Sequence, residues 1–163
     1  MTGSELKHFR DLKKGGKLQN SELFEACLKV RTYECDSYGH ANNAVYLNYL
    51  EYARMEALNR KGLSLKKMKQ MGFLIVVRRI EIDYKAPAGE GDDLLIRTYL
   101  KDHNKMKGVF SQEIVKRPNH TLVAKADVTW VFVDLEGRLQ PIPLFFQDAF
   151  AFKGGNGLEN NIN

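Results

Sequence analysis

Alternating hydrophobic and polar positions dominate the chain from residue 24 onwards. Apolar side chains recur at every second position over residues 24–32, which is the period of a strand with one buried face. The same alternation predicts four more strands, separated by turn-forming clusters of Pro, Gly, Asn and His, at residues 73–84, 93–101, 107–116 and 121–133. We therefore expect about five strands, the last four of them consecutive.

Residues 43–61 follow a different pattern, in which a long apolar run is interrupted by only four polar or charged residues among positions 45–58. The segment lacks Pro and Gly and is too long for a typical strand, so it predicts a helix that is apolar over most of its circumference and buried on several sides. A short second helix is expected to begin after the cap residue Ser64 and to end at Gly72, and a last one covers residues 143–152.

The order of these elements predicts the fold class. Short connections between consecutive strands imply antiparallel neighbours, so the long helix is not a repeated crossover between parallel strands. An α+β domain satisfies both observations if a curved antiparallel sheet of about five strands wraps around one long buried helix, which is the hotdog fold. One sheet with one covering helix leaves a face that needs cover, so we expect a homo-oligomer.

Length and composition are those of one domain. A chain of 163 residues, 44% hydrophobic, is expected to fold at residues 21–153, between a polar flexible segment at 1–20 and a disordered tail at 154–163. The chain contains no apolar run of about 18 residues, and its start lacks the apolar core of a secretory signal, so we expect a cytoplasmic protein without a membrane span. Cys27 and Cys35 lack the spacing of a zinc site and are expected to be reduced thiols.

The charge of the chain narrows the class of partner. The net charge of +5, from 25 Lys and Arg against 20 Asp and Glu, is spread along the sequence. A nucleic-acid binder more often shows a dense basic stripe. We therefore expect no nucleic-acid partner, and a small anionic molecule fits the charge as well.

The densest group of potentially reactive side chains lies between the first strand and the long helix. Four of them fall within eight residues directly before a helix N-terminus: Asp36, His40, Asn42 and Asn43. Free backbone N–H groups and the helix dipole favour negative charge at such an end, so it can hold an oxyanion that develops on a carbonyl. A structural role is equally open on residue types alone, in which Asp36 or Asn42 caps the helix and Gly39 allows a tight turn.

The run DSYGHANNAVY at 36–46, continued by LNYLEYAR at 47–54, resembles the motif of the 4-hydroxybenzoyl-CoA thioesterase family and of the related bacterial acyl-CoA and plant acyl-ACP thioesterases. The likeness covers about residues 23–150 and includes Pro-Ile-Pro at 141–143. It implies a homodimer or homotetramer with a continuous sheet, which hydrolyses a thioester at the subunit interface to a carboxylic acid and a thiol. No metal or cofactor is implied beyond the coenzyme A of the substrate, and fatty acid metabolism is the implied setting.

The resemblance also implies roles for individual residues. Asp36 matches the family's catalytic aspartate, which acts as a nucleophile or as a general base, and the amides near Asn43 match the oxyanion donors. His40 and Asn42 match the HxNN part of the acyl-ACP branch, where the His assists acid–base work. That branch has Asn two residues after the aspartate, where this chain has Tyr38, so the role of His40 stays open.

Substrate contacts are expected from the loop, the helix start and a basic rim: Tyr38, Gly39, Tyr46, Arg78, Arg79, Lys105 and Lys107. The four basic residues are candidates for the phosphates of coenzyme A. Strict alternation places Arg78 on the buried face of its strand, which a β-bulge or a functional role would explain. Lys105 and Lys107 fall in a predicted turn, where a solubility charge is the plain alternative.

Two other functions on this scaffold stay open: a hydratase or dehydratase of acyl thioesters, and a non-catalytic acyl-CoA-binding module. The first typically uses an Asp/His or His/Glu pair in a differently patterned segment that the sequence does not show. The second usually carries a DNA-binding segment, for which the first 20 residues are too short.

The remaining charged side chains are expected to have structural roles. The helix carboxylates Glu51 and Glu56 have the spacing to pair with Arg54 and Arg60. The histidines in predicted turns, His103 and His120 among them, are expected to be solvated.

Overall fold

The computed structural model describes residues 22–152, so the segments predicted to be flexible at 1–20 and 154–163 lie outside the described residues. The strands are β1 (Phe24–Lys29), β2 (Leu74–Tyr84), β3 (Asp93–His103), β4 (Lys107–Lys116), β5 (Thr121–Val133) and β6 (Leu139–Gln140). The helices are α1 (Val45–Arg60), α2 (Leu65–Gln70) and α3 (Leu144–Ala149).

The strands form one antiparallel sheet in the order β1-β3-β4-β5-β2, with β6 added beside β5. This confirms the predicted α+β hotdog architecture. The sixth strand has only two residues, which is too short for alternation to reveal. β1 ends at Lys29 instead of residue 32, because Thr32–Glu34 form a single turn of 3-10 helix.

Helix α1 packs one face against the sheet. Its buried residues follow the spacing of a single helical stripe, as at Tyr46, Leu50, Ala53 and Ala57. Leu47, at the border of this face, and Tyr52, on the other side, are 38% and 43% exposed. The prediction of burial on several sides is therefore wrong for the single chain, because the sheet contacts only one side of the helix.

Two apolar clusters fill the space between α1 and the sheet. The first lies under the N-terminal half of the helix and includes Tyr46, Tyr49, Leu50, Leu94, Ile96 and Ile114. The second lies under its C-terminal end and includes Leu58, Met68, Phe110, Trp130, Phe132 and Phe146. α2 contributes to the second cluster, and it begins and ends as predicted: Ser64 Oγ accepts from the Lys67 N–H at 3.2 Å, and Gly72 follows with φ +86°.

β2 is an edge strand of the sheet, and it contains an irregularity. The register against β5 shifts between Val77 and Arg79, which leaves Arg78 as the extra residue of a β-bulge and turns its side chain outward. The alternation that placed Arg78 on the buried face is therefore wrong at this position. Val76 and Val77 are exposed beside it, so β2 presents an apolar, unpaired edge.

Candidate active site

Residues 35–41 form a narrow turn that leads from β1 towards α1. The Asp36 N–H donates to the His40 carbonyl at 2.8 Å, and the Gly39 N–H donates to the Asp36 carbonyl at 3.0 Å. Gly39 has φ +77°, in the left-handed region that glycine adopts without strain. Tyr38 lies at the tip of the turn and is 84% exposed. Four of the predicted site residues, Asp36, Tyr38, Gly39 and His40, thus lie together on a turn that is largely exposed.

The turn is fixed to the end of the sheet where β2 leads into β3. The Ala41 N–H donates to the Ala88 carbonyl at 2.7 Å, and the Gly89 N–H donates to Asp92 Oδ2 at 2.8 Å. Lys116, at the end of β4, lies 2.7 Å from the same Asp92 oxygen and lowers the pKa of that carboxyl. A backbone hydrogen bond therefore joins the turn to the β2–β3 loop, and Asp92 and Lys116 connect that loop to the sheet.

A buried carboxylate, Glu34, connects the turn to α1. It is 8% exposed, and it accepts hydrogen bonds from the Arg31 N–H at 2.8 Å, the Arg31 guanidinium at 3.0 Å and the Tyr49 hydroxyl at 2.7 Å. Burial alone would raise the pKa of Glu34, but these hydrogen bonds outweigh it, and the pKa lies below its ordinary value. Sequence reasoning missed Glu34, because no local pattern shows that a loop carboxylate meets a tyrosine of the following helix.

The two carboxylate oxygens of Asp36 have different surroundings. Oδ1 accepts from the Tyr38 N–H at 2.9 Å and from the His40 N–H at 3.4 Å, whereas residues 22–152 supply no hydrogen-bond donor to Oδ2. The backbone of the turn thus orients the half-buried carboxylate and leaves one oxygen free. The His40 imidazole makes no ion pair with Asp36, since only the backbone of His40 contacts it, so a direct Asp36–His40 pair is not formed.

The start of α1 separates the roles of the two adjacent asparagines. Asn42 Oδ1 accepts from the Ala44 N–H and the Asn42 carbonyl accepts from the Val45 N–H, both at 2.9 Å, so Asn42 forms the turn that leads into the helix, whose N-cap residue is Ala44. The exposed Asn43 differs: its carbonyl accepts from the Tyr84 hydroxyl at 2.9 Å, and its N–H has no acceptor within residues 22–152. A free amide at a helix start is a ready donor to an anionic oxygen.

Tyr46, which is predicted to contact the substrate, is a core residue of the single chain. Its side chain is buried, and its ring packs edge-on against Tyr84 at 5.3 Å and Tyr49 at 5.8 Å between ring centroids. Burial raises the pKa of the Tyr46 hydroxyl. The residue shares an apolar cluster with Ala41 and Cys35 of the turn and with Ala88, so it supports the site from below.

The predicted basic residues are not gathered around Asp36 in one chain. Arg78 and Arg79 are exposed on β2, and Arg79 pairs with Glu81 at 2.8 Å. Lys105 and Lys107 belong to the β3–β4 turn, at the end of β4 opposite the end where Lys116 supports the Asp36 turn. A strand of ten residues spans about 30 Å, so within one chain these two lysines lie far from the Asp36 turn.

A groove of about 410 Å³ opens between α1 and the edge strand β2. Its walls are mainly apolar, and they include Leu47, Met55, Leu58, Ile75, Val76 and Ile80, with Trp130 also in the lining. The groove starts near the beginning of α1 and follows the helix towards its C-terminal end. Such a shape suits an extended apolar chain. The sequence did not predict the groove, because its two walls come from segments that are distant along the chain.

The helix arginines do not form the predicted pairs with helix glutamates. The guanidinium of Arg54 lies beneath the helix and donates to Gln112 Oε1 at 2.9 Å. Arg60 donates to the Glu25 carbonyl at 2.8 Å. Both side chains reach the strands under the helix, so spacing along the helix was a poor guide to their partners.

The other potentially reactive groups lie apart from the turn or are structural. His103 stacks on Phe152 with ring centroids 3.9 Å apart, so it is packed and not solvated as predicted. Cys27 and Cys35 are free thiols, as expected. Within residues 22–152, no group of three His, Cys, Asp or Glu residues is placed to hold a metal ion, and no helix is long and apolar enough to cross a membrane.

Comparisons with known proteins place this geometry among thioester hydrolases. Residues 30–150 match the family described as the thioesterase-like superfamily. The chain is 39% identical over 109 residues to the long-chain acyl-CoA thioesterase FadM of Escherichia coli K12, across 67% of this chain and 82% of that protein. It is 32% identical over 142 residues to the chloroplastic acyl-acyl carrier protein thioesterase ATL3 of Arabidopsis thaliana, across 87% of this chain and 74% of that protein. The solved structure of Slr0204, a 1,4-dihydroxy-2-naphthoyl-CoA thioesterase from Synechocystis, is similar with a TM-score of 0.75 and 25% identity, across 80% of this chain and 97% of that one.

Proposed function

The chain belongs to the thioesterase-like superfamily, and we propose that it hydrolyses acyl-CoA or acyl-ACP thioesters to a free carboxylic acid and a thiol. The names of its relatives support thioester hydrolysis and include both carriers. The observation that carries the proposal is the Asp36 carboxylate, which has one oxygen held by backbone amides and the other free. It stands a few residues before a helix start whose Asn43 amide is unbonded within residues 22–152.

In the proposed reaction, Asp36 Oδ2 removes a proton from a water molecule that attacks the thioester carbonyl carbon. The Asn43 N–H donates to the carbonyl oxygen while it carries the negative charge of the tetrahedral intermediate, and the dipole of α1 favours that charge. The C–S bond then breaks, and the departing sulfur takes the proton back from Asp36. Direct attack by Oδ2 on the carbonyl carbon, followed by hydrolysis of the resulting anhydride, is the nucleophilic variant of this chemistry.

The groove between α1 and β2 is the proposed site of the acyl group. It begins beside the helix start, so an acyl chain whose carbonyl meets Asn43 can extend along its apolar wall. The outward-facing Arg78 and Arg79 on β2 are then available for the phosphates of coenzyme A. This arrangement keeps the reacting carbonyl at the polar end of the groove.

We further propose that two copies pair antiparallel along β2. The unpaired edge carries the exposed residues Val76 and Val77, and pairing would cover them. Antiparallel pairing would bring the β3–β4 turn of the second copy, with its Lys105 and Lys107, to the same side as Asp36. Sedimentation equilibrium tests this pairing: a monomeric mass at micromolar concentration would contradict it. The cytoplasmic location and the place in fatty acid metabolism stay predictions.

Replacing the carboxylate tests the proposed reaction. Asp36→Asn keeps an oxygen that can accept from the Tyr38 N–H but removes the base, so kcat for hydrolysis across short, medium, long and aromatic acyl-CoAs should fall at least about a hundredfold with little change in thermal stability. The matched control is Asp102→Asn, the same change in an aspartate at the opposite end of the sheet whose Oδ1 accepts from the His103 N–H.

Wild-type kcat in Asp36→Asn would rule out this assignment. Crotonyl-CoA assayed in parallel tests the hydratase alternative, because hydration without hydrolysis would favour that reaction. Binding of the CoA esters without either reaction would favour the non-catalytic module.

A further inference from the structure

Two buried hydrogen-bond donors in the apolar groove between α1 and β2 have unused capacity. Arg54 is 6% exposed, and Nη1 makes the only hydrogen bond of its guanidinium to residues 22–152, to Gln112 Oε1 at 2.9 Å. Trp130 is fully buried, and its indole N–H has no acceptor within the same residues. Both side chains belong to the lining of the groove. A guanidinium has five N–H donors, so most of the donors of Arg54 are free.

The hydrogen bond to Gln112 holds Arg54 in position, but it uses only one of the donors of the guanidinium. The Gln112 amide nitrogen donates to the Leu50 carbonyl at 3.0 Å and to Thr98 Oγ1 at 2.8 Å, which leaves its oxygen for Arg54. The amide therefore orients the guanidinium and satisfies one donor. Burial of a polar group without partners is unfavourable, so a ligand atom that accepts from the remaining donors would be bound preferentially.

The guanidinium of Arg54 stays charged inside the groove. Burial lowers the pKa of Arg54 to about 10, and the negative charge of Glu51 opposes that shift, so the guanidinium stays charged at neutral pH. Glu51 also contributes to the groove lining, one turn before Arg54 on α1. A hydroxyl or carbonyl oxygen of a ligand can therefore accept a charge-assisted hydrogen bond from Arg54 without bringing a second negative charge next to Glu51.

The position of Arg54 along the helix indicates which part of an acyl chain it meets. Arg54 lies nine residues after Val45, which corresponds to about 13 Å along the helix axis. Its side chain leans towards the N-terminus of the helix, so the guanidinium lies somewhat nearer to the Asp36 end than its Cα. An acyl chain that starts at Asn43 therefore reaches Arg54 with its distal part and not with the carbons next to the thioester.

We propose that Arg54 selects acyl groups that carry a hydroxyl or carbonyl oxygen in the distal half of the chain over unsubstituted chains of equal length. The inference rests on the proposed thioesterase function, since it takes the groove to be the acyl site. Arg54 would thus distinguish two classes of acyl chain that the turn at Asp36 does not distinguish. Selectivity arises because an unsubstituted chain covers the free donors and leaves them unpaired.

Equilibrium binding tests this preference without requiring turnover. In the Asp36→Asn variant, calorimetric titration compares each ω-hydroxyacyl-CoA with the unsubstituted acyl-CoA of the same length, over a series from octanoyl to dodecanoyl. We expect the hydroxylated ester to bind about tenfold more tightly at one chain length, as a hydrogen bond to a charged donor allows.

Substitution at Arg54 tests whether this residue causes the difference in affinity. Arg54→Met should reduce the ratio of the two affinities to about one, whereas Arg60→Met, the same change on an exposed arginine of α1, should leave the ratio intact. Equal affinities throughout the series in the Asp36→Asn protein would overturn the inference and leave Arg54 with the role of holding Gln112. Failure of the wild-type protein to hydrolyse any ester would instead contradict the proposed function, which the binding series does not measure.

Discussion

The two ends of helix α1 are stabilised in different ways. At its C-terminal end, aromatic rings pack in direct contact, with Phe146 of α3 at 5.0 Å from Trp130, 5.1 Å from Phe132 and 4.7 Å from Phe150 between ring centroids. At its N-terminal end, the turn at 35–41 is exposed and is held mainly by hydrogen bonds. The aromatic cluster and the candidate chemistry thus lie at opposite ends of the same helix.

The difference follows from the physics of the two kinds of contact. Apolar packing has little directional preference, and its stabilising free energy grows with the area that is buried. It therefore stabilises the C-terminal end of α1 without presenting any reactive group. Hydrogen bonds are directional, so they can hold a carboxylate in one orientation while one of its oxygens stays free. Near the N-terminal end of α1, the Glu34 carboxylate resembles a core residue, since it is buried and fully hydrogen-bonded.

Truncation of the aromatic cluster should produce the largest effect on stability. Phe146→Ala removes a fully buried ring, and we expect a loss of about 3 to 5 kcal/mol in the free energy of unfolding, measured by urea denaturation. Well below the unfolding midpoint, kcat should stay near the wild-type value, because the ring is at the end of the helix remote from Asp36. Leu144→Ala, on the same helix at a side chain that is 74% exposed, should change stability by less than about 0.5 kcal/mol. A large fall in kcat in folded Phe146→Ala would show that the two ends are coupled.

Removal of the Glu34 charge should have an intermediate effect on stability and also reduce kcat. Glu34→Gln weakens the hydrogen bonds from Arg31 and Tyr49, so we expect a loss of about 1 to 2 kcal/mol and a lower kcat as the turn loosens. Glu56→Gln is the matched control on α1, since Glu56 forms no ion pair with residues 22–152. Unchanged stability and kcat in Glu34→Gln would mean that the turn does not depend on this carboxylate.

The same variant makes a prediction about acid stability. The pKa of Glu34 is lower in the folded chain than its ordinary value of 4.5, so its stabilising contribution is fully present above pH 4.5 and is lost as the pH falls through the folded pKa. Unfolding free energies measured between about pH 6 and pH 3 should therefore fall less steeply in Glu34→Gln than in the wild type. Parallel curves would show that Glu34 does not titrate with folding.

The smallest loss of stability should come from removing the Tyr84 hydroxyl near the N-terminal end of α1. Tyr84→Phe removes the hydrogen bond to the Asn43 carbonyl, which is partly exposed, so the loss of stability should be about 0.5 to 1 kcal/mol. Because this bond helps to fix the Asn43 peptide, kcat should fall severalfold even though the fold is intact. Tyr52→Phe, on the exposed side of α1, controls for loss of a hydroxyl. Equal kcat in the two variants would contradict a role of Tyr84 in positioning that amide.

Local patterns were sufficient to predict most of the fold. The observed bounds lie within two residues of the predicted ones for β2, β3, β4 and β5, and α1 lies inside the predicted segment 43–61. These elements could be predicted because the side-chain period of a strand or helix is visible in consecutive residues. At the bulge of Arg78, the sequence pattern failed to predict the direction of the side chain. A bulge inserts one residue into the ladder, and alternation within one strand cannot show how that strand pairs with its neighbour.

The candidate site was predicted to the extent that it is local. Asp36, Gly39 and the helix start are near one another in the sequence, so their proximity followed from the loop itself, as did the turn that Gly39 allows. The sequence likewise determined the family of the chain, since its motif spans a single loop and helix. Backbone geometry over a few residues constrains such features strongly.

Only the tertiary structure decided which distant groups meet. It paired Glu34 with Tyr49, buried Tyr46, separated Lys105 and Lys107 from Asp36, and placed Arg54 in a groove against β2. Each of these outcomes depends on the crossing of α1 over the sheet and on the order of the strands. The free energy of those contacts comes from burial and from hydrogen bonds between segments that are far apart in the sequence, so no local pattern contains it.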